Sequence, residues 1–534
     1  MFGHHTGPSV SAPPRAALVL VLLAYVLPLV VPVPLMEDDE GLHAAIAIEM
    51  VERGDWTVPR LLGAPFLDKP ILYFWMEAAS IAAFGASEFA VRLPGTLMAL
   101  AGVAATGWLG VTLFGGAVGR WAAVIYATML LPYAVSLSPL HDLVMVPLVC
   151  VALGSYWRAY RATASGPLVA WTIVAGAALG LSMLGKGLTG VGLIGVGIAA
   201  WMAWTRTWSM RLVGVASASL VIGALIAGPW YAAMEAASPG YLRYFIVDRH
   251  IGGVAGDEQR HAGRPVWYYL PVLLGGAWPW IASALRRPLR GADVAERLVW
   301  AWLIADVVLL TVAGSKLATY LLPAFPAVAL LAGRAIEAAG DKAEAAPVWL
   351  VLPTALLPMA GLVYFAIEVA SAVSPFGMVA ALLPLVVAGA LSVTAAGRAW
   401  TPAARVVGVT AAALVAITLA VRPLVATQLT ARQLAGHMNR LGTMPKTLLI
   451  VDEGVGSFLF YLRPELRRGL TPDRVQRISR FSLGDVTDPD GVVVAVATDR
   501  LDGLRALYEL PTAPASASGA FHVVPLAGMR PRQR

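Results

Sequence analysis

Apolar runs close to twenty residues long recur from Ala16 to Val421, and this pattern decides what the chain can become. An α-helix needs about twenty residues to cross the hydrocarbon of a bilayer, and helices satisfy their own backbone polar groups there. With 58% hydrophobic and only 13% charged residues, a soluble globular domain is excluded. Hydropathy over about 19 residues predicts spans near 16–36, 90–113, 118–137, 140–160, 167–184, 186–204, 209–231, 266–284, 295–313, 317–335, 347–370, 376–397 and 402–421. The expectation is therefore an all-α polytopic membrane protein of about thirteen spans. The first run carries no small-residue cleavage motif, so it is expected to be retained rather than removed.

The net charge of +7 is read by position, because basic residues in such chains orient loops. Arg15, Arg120, Arg158, Arg161, Arg206, Arg211, Arg286, Arg287, Arg290, Arg297, Arg334, Lys342, Arg398 and Arg405 all fall on one side of the thirteen-span arrangement. By the positive-inside rule that side is cytoplasmic. The long loops 37–89 and 232–265 and the C-terminal stretch then lie outside. Nucleic acid is not an expected partner. A single cysteine, Cys150, rules out an intrachain disulfide or a cysteine metal cluster.

The outer loops are not bland. Loop 37–89 opens on "MEDDEGLHAAIAIEM", with four consecutive acids, and residues 38–53 repeat apolar positions at helical spacing, as an interfacial helix would. "ILYFWMEAASIAAFG" is apolar but too short to span comfortably, and reads as a second interfacial helix. Beyond residue 424 the composition turns ordinary. "KTLLIV" and "GVVVAVAT" read as strands and "DRLDGLRALYEL" as a helix, so residues 424–534 are expected to form a small soluble α/β domain after the transmembrane domain 1–423.

The stretch "DEGLHAAIAIEMVERGDWTVPRLLGAPFLDKPILYFWMEAASIAAFGASEFAVRLPG" resembles the signature of the GT-C membrane glycosyltransferases related to protein mannosyltransferases, in the bacterial branch that modifies lipid A with aminoarabinose. "LSPLHDLVM", "LGKGLTG", "GPWY", "HAGRPVWYYLP" and "GSKLATYLLPAFPAVALLAG" follow in the family's order, up to about residue 333. Leu42 and His43 stand where the family commonly carries Arg and Tyr. The resemblance implies an enzyme of the outer membrane face that moves a sugar from a polyprenyl-phosphate donor, undecaprenyl phosphate in bacteria, to an envelope glycolipid, glycan or protein acceptor with inversion. It also implies a multi-pass protein of the bacterial inner membrane, with a loop at 232–265 that orders over the donor.

Such chemistry needs a carboxylate near the acceptor, cations for the leaving phosphate and an apolar groove for the lipid. Asp39 falls on the family's aspartate and is the first candidate for base, with Glu40 next; an acidic helix N-terminus would also place charge here. Asp142, at the mouth of the fourth span, matches the second acidic position, although an N-cap would use the same residue. Lys186 and Lys316 are basic residues on the outer side, against the topology rule, so phosphate recognition is the expected reason, and Tyr320 shares a helix face with Lys316. Lys69 matches the family's lysine for the carrier phosphate. Arg249 and Arg260 are expected to contact substrate from loop 232–265. No cofactor is required; a divalent metal such as zinc is a minor expectation, with Asp68 and His261 as its ligands. Asp306, in mid-span, is expected to be held by a hydrogen bond between helices.

An oligosaccharide ligase with a diphosphate-linked donor, or a transporter of lipid-linked sugar, shares the outer-leaflet lipid. No internal repeat of the transporter kind is visible, and the charges concentrate outside the membrane. The arginine pattern makes a direct prediction: a reporter fused after residue 534 is active in the periplasm, and one fused near residue 290 in the cytoplasm. Activity of both in one compartment would overturn the orientation.

Overall fold

The computed structural model describes residues 11–37, 39–252, 263–340, 400–423, 426, 429–510, 516–518 and 521–532. The spans expected at 347–370 and 376–397, together with Arg260, His261, Lys342 and Arg398, lie outside the described residues.

Helix α1 (Arg15–Val30) stops where Pro32 and Pro34 prevent its continuation. Helix α2 (Asp39–Arg53) carries Asp39 and Glu40 in its first turn and Arg53 in its last, complementing the helix dipole at both ends. A two-residue hairpin follows, Arg60–Leu61 against Ala64–Pro65, turning through Leu62 and Gly63, both at positive φ. Helix α3 (Leu72–Phe84) is only 13 residues long, as its apolar run required. Then come α4 (Glu88–Phe114), α5 (Gly116–Ala127), α6 (Leu130–Ser136), α7 (Asp142–Arg161), α8 (Ser165–Lys186), α9 (Leu188–Thr205) and α10 (Met210–Ala237). A π-helical turn, Arg243–Ile251, precedes two short helices, Tyr269–Gly276 and Ile281–Ala284. Helices α11 (Val294–Val312), α12 (Phe325–Ala339) and α13 (Pro402–Ala416) complete the apolar part.

Among the described residues, seven helices are long and apolar enough to cross a membrane, or eight if α5 and α6, bent by 62°, count as one span. Several expected spans differ from this standard for visible reasons. The 16–36 run yields a helix of only 16 residues, and the 266–284 run divides into two short helices. Helix α11 has the length but carries Glu296, Arg297 and Asp306. The Asp306 carboxylate accepts the indole N–H of Trp302 at 2.9 Å. Its partner therefore sits one turn earlier on the same helix, where an interhelical bond was expected.

Two compact units emerge. The first comprises Met1–Val31, Leu67–Tyr73 and Pro94–Val421; the second comprises Pro32–Phe66, Phe74–Leu93 and Arg422–Arg534. In the first, α7 packs on α8, α8 on α10, α9 on α11, α5 on α12 and α1 on α13. Gly176 and Gly180 of α8, one turn apart, meet Ile222 and Ile226 of α10, a small-residue stripe that lets two apolar helices approach closely. Tyr133 ties α6 to α1 and α13 by hydrogen bonds to the Ala24 and Leu414 carbonyls at 3.3 and 3.0 Å.

The second unit holds a five-stranded mixed sheet. Strands Thr447–Val451, Val475–Ile478 and Val492–Ala497 run parallel, and Phe521–Pro525 and then Ser516–Ser518 extend it antiparallel beyond Val492–Ala497. Alternation puts Leu448 and Ile450 in one core with Leu434 and Phe458, and Leu449 and Val451 in another with Leu501 and Leu504. Ala45 of α2 and Leu62 of the hairpin belong to the first of these cores, so residues of the 37–89 loop and of the C-terminal stretch share one interior. Helix α14 (Arg432–Leu441) and helix α15 (Gly456–Tyr461) cover it.

Residues 37–52 are locked to residues 456–467 at three points. The Glu37 carboxylate accepts the Ser457 backbone N–H, Gly41 lies directly against Gly456, and Glu52 forms a bidentate pair with Arg467 at 2.6 and 3.1 Å. A Cβ on Gly456 would lie 2.2 Å from the Leu42 nitrogen and 2.3 Å from the Gly41 carbonyl carbon, both rigid backbone. Gly456→Ala should therefore force the helices apart and cost about 1–3 kcal/mol, read as a lowered melting temperature. An unchanged melting temperature would show that the close approach is not required.

Candidate active site

Helices α7 and α8 form an antiparallel hairpin joined by residues 162–164, so the first residue of α7 faces the last residue of α8. Asp142 and Lys186 meet there as a buried ion pair, at 8% and 9% side-chain exposure. Neither charge could be left alone at this depth, since removing one partner of a buried pair costs about 3–5 kcal/mol. Thr319 adds a hydrogen bond to the Asp142 carboxylate, and the charge of Lys69 acts on it as well. The Tyr320 ring lies under the Lys186 ammonium, 4.3 Å from ring centroid to nitrogen. Lys316, also buried, donates to the Ala313 carbonyl at 2.7 Å, just before Thr319 and Tyr320 in sequence.

The segment Asp68–Lys69 reaches the same unit from the loop before α3. Asp68 accepts the Tyr244 hydroxyl at 2.5 Å and faces the Arg249 guanidinium at 3.8 Å. A cation thus already stands by the carboxylate proposed for a metal, and its other expected ligand, His261, lies outside the described residues. No group of three or more His, Cys, Asp or Glu able to hold a metal occurs among the described residues.

His250 joins the π-helical turn to Lys186. Its Nδ1–H donates to the Phe245 carbonyl at 2.6 Å, which leaves Nε2 to accept the Leu188 backbone N–H at 3.2 Å. The turn between α8 and α9 permits this because Gly187 has φ +67°, and a Cβ there would lie 2.5 Å from His250 Nε2. Tyr231, Tyr241 and Phe245 stack behind the ring, so the turn is held by aromatic packing. Burial pushes the His250 imidazole below its usual pKa, and the charges of Arg249 and Lys69 act in the same sense.

Asp39 and Glu40 belong to the second unit and are used very differently. Glu40 is 2% exposed and is gripped by Arg92 at 2.6 and 3.2 Å, with Arg422 at 3.6 Å. It also accepts the Met36 backbone N–H at 2.8 Å, while Arg92 reaches the Val33 and Pro34 carbonyls. Asp39, one residue earlier, is exposed. The structure therefore groups Asp68, Lys69, Asp142, Lys186, Arg249 and Tyr320 in the first unit and gives Glu40 a buried ion-pair network. Tyr244, Thr319, Arg92 and Arg422 are participants that sequence reasoning missed; only the charge of the two arginines could have hinted at a partner.

The His250 geometry makes a pH prediction. A histidine whose folded pKa is depressed contributes its stabilisation fully above the unfolded value, about 6.5, and loses it as pH falls through the folded value. Protonation removes the Nε2 acceptor and adds positive charge near Arg249 and Lys69. Hydrogen exchange at residues 243–251 should therefore quicken between pH 7 and pH 5 beyond the intrinsic trend. The same acid response in a His250→Gln chain would place the cause elsewhere.

The family model for dolichyl-phosphate-mannose-protein mannosyltransferases matches residues 68–231, the stretch that contains Asp68, Lys69, Asp142 and Lys186. The undecaprenyl phosphate-alpha-4-amino-4-deoxy-L-arabinose arabinosyl transferase of Erwinia tasmaniensis is 30% identical over 352 residues, 65% of this chain and 62% of that protein. Its counterpart in Pectobacterium carotovorum is 33% identical over 322 residues, 59% of this chain and 57% of the relative. The chain thus spans about three fifths of the length of the curated relatives it matches. The crystal structure of ArnT from Cupriavidus metallidurans bound to undecaprenyl phosphate superposes with a TM-score of 0.73 at 21% identity, covering 95% of this chain and 97% of that one. The archaeal oligosaccharyltransferase AglB of Archaeoglobus fulgidus gives 0.51 at 13% identity, over 96% and 74% of the two chains. Over residues 68–231 the chain is similar to the dolichyl-phosphate-mannose-protein mannosyltransferases, over about three fifths of its length it is similar to the aminoarabinose transferases, and its fold is like that of ArnT.

Proposed function

We propose that this protein is an inverting membrane glycosyltransferase that moves a sugar from an undecaprenyl-phosphate carrier to a cell-envelope acceptor on the periplasmic side of the inner membrane. The observation that carries this reading is the buried Asp142 and Lys186 pair with Lys69 acting on it, a concentration of cations where α7 begins and α8 ends. Curated relatives at about 30% identity are named as transferases of an undecaprenyl-phosphate-linked aminosugar, which supports a phosphate-linked rather than diphosphate-linked donor. In this reading the chain has about thirteen spans, a cytoplasmic N-terminus and a periplasmic domain at 424–534.

The reaction breaks the bond between the anomeric carbon and the carrier phosphate while the acceptor attacks from the opposite face. Negative charge grows on the departing phosphate, and Lys69, Lys186 and Lys316 stabilise it. Asp142 fixes where the Lys186 ammonium points. Asp39 removes the proton from a hydroxyl acceptor, or orients an acceptor already ionised. Arg249, held by Asp68, is placed to approach the donor from the turn 243–251.

The decisive experiment offers the purified chain defined sugars on undecaprenyl phosphate and on undecaprenyl diphosphate. Consumption of the monophosphate donor alone is expected, and consumption of the diphosphate alone would sink the reading. Lys69→Ala should reduce turnover by about 10²-fold through lost stabilisation of the leaving group. Asp39→Asn should abolish transfer while leaving carrier binding intact; near-normal transfer by this variant would remove Asp39 from the chemistry.

A further inference from the structure

A pocket of about 290 Å³ opens at the far end of α7 and α8 from Asp142 and Lys186. Helix α7 has 20 residues, so the two ends lie about 30 Å apart, the thickness of the hydrocarbon layer. Arg158, Arg161 and Trp157 come from the last turns of α7, Trp171 and Pro167 from the start of α8, and Thr112 from the end of α4. No carboxylate is among the lining residues described.

The chemistry of this wall is that of an anion site. The Arg158 guanidinium lies over the Trp171 and Trp108 rings, at 4.7 and 5.6 Å from their centroids, and donates to the Thr112 hydroxyl at 3.2 Å. Its Nε is buried with no hydrogen-bond partner among the described residues, a donor left facing no acceptor. Arg161 is exposed and has no ion pair among the described residues. Helix α8 begins at Ser165 without a side-chain cap, so its positive end also borders the pocket. The opposing end of α7, which would repel an anion, is already served by Arg211, which donates to the Ala159 and Ala162 carbonyls.

The pocket also borders a surface suited to acyl chains. Val169 and Ile173, one turn apart on α8 just beyond the pocket, are 55% and 51% exposed. Tryptophans at the rim favour the level where lipid headgroups meet the hydrocarbon. We propose that the Arg158, Arg161 and Trp171 pocket is a binding site for the phosphate of an anionic phospholipid, on the membrane face opposite the proposed transfer site. The headgroup phosphate lies against the two guanidinium groups and the start of α8, and an acyl chain runs along Val169 and Ile173. Basic pockets between helices on the cytoplasmic side suit such headgroups. The inference stands apart from the transfer reaction, because none of these residues belongs to the group around Lys69 and Lys186.

The test uses the full chain, stripped of lipid in detergent and titrated with dioleoyl-phosphatidylglycerol, dioleoyl-phosphatidylcholine or inorganic phosphate while bound lipid is counted by native mass spectrometry. One phosphatidylglycerol should be retained per chain in preference to phosphatidylcholine. Arg161→Gln, a change at an exposed position, should weaken retention about 5-fold, the factor expected from about 1 kcal/mol for one basic residue near an anionic lipid. Arg158→Lys, which keeps the charge but not the planar fork, should weaken it further than an exposed charge alone explains. Lys69→Ala should leave this retention unchanged, which separates the pocket from the carrier site. Displacement of phosphatidylglycerol by millimolar inorganic phosphate would overturn the lipid as occupant and leave a soluble phosphate in its place. Equal retention of both lipids, or retention unaffected by Arg161→Gln in a chain that elutes normally, would overturn the site altogether.

Discussion

A carboxylate and an ammonium group set at adjoining ends of two apolar helices must find each other, and the Asp142 and Lys186 pair is the contact on which the rest of the first unit depends. Because one residue opens α7 and the other closes α8, their meeting fixes the register of the hairpin. The chain must then turn immediately after Lys186. Gly187 makes that turn at positive φ, and the space left by its missing Cβ is where the His250 ring sits. Through His250 the π-helical turn 243–251 is bound to the lysine's own backbone neighbour, Leu188. Through Tyr244 and Arg249 the same turn holds Asp68, next to Lys69. One buried charge pair thus propagates, by covalent adjacency and short polar contacts, to every cation of the group.

The second unit answers why the stretch after α1 opens on consecutive acids. Glu37 serves the Ser457 amide, and Glu40 serves Arg92 and Arg422. Asp39, between these two anchors, is exposed on the first turn of α2. Two carboxylates that hold the backbone on either side of a third limit how far that third can move. Glu77 shows the limit of the network. It is fully buried near Glu40, both its oxygens lack partners among the described residues, and burial together with the Glu40 charge pushes its carboxyl far above the usual range.

How much of this could be read beforehand depended on the range of the interaction. Among the described residues, seven helices long and apolar enough to cross a membrane, the short α3 and the helix at α2 are written in local periodicity, and they were legible. Lys186 and Lys316 stood out because they oppose a rule about where cations belong, and both are buried with polar partners. What could not be read is pairing across long separations. Nothing near Glu40 announces Arg92, 52 residues away, and nothing near Glu37 announces Ser457, 420 residues away. The α2 and α15 contact was likewise hidden, because Gly41 and Gly456 look like ordinary loop glycines until their backbones are seen to touch. Asp306 misled in the opposite direction: an acid in mid-helix suggested a neighbouring helix, but a tryptophan one turn away on the same helix met part of its need.

The residues at which the chain departs from the family pattern fall in a definite place. The matched stretch, residues 68–231, includes Asp68, Lys69, Asp142 and Lys186, whereas α2, with Leu42 and His43, lies before it. His43 is 3% exposed and its ring packs edge-on against Phe74 at 5.5 Å, so the histidine is a component of the second unit's interior. A substitution buried in this way alters how α2 seats against α3 rather than presenting a new group to a substrate. Lys69 and Lys186 thus lie within the matched stretch, whereas Lys316 and the helix bearing Asp39 lie outside it.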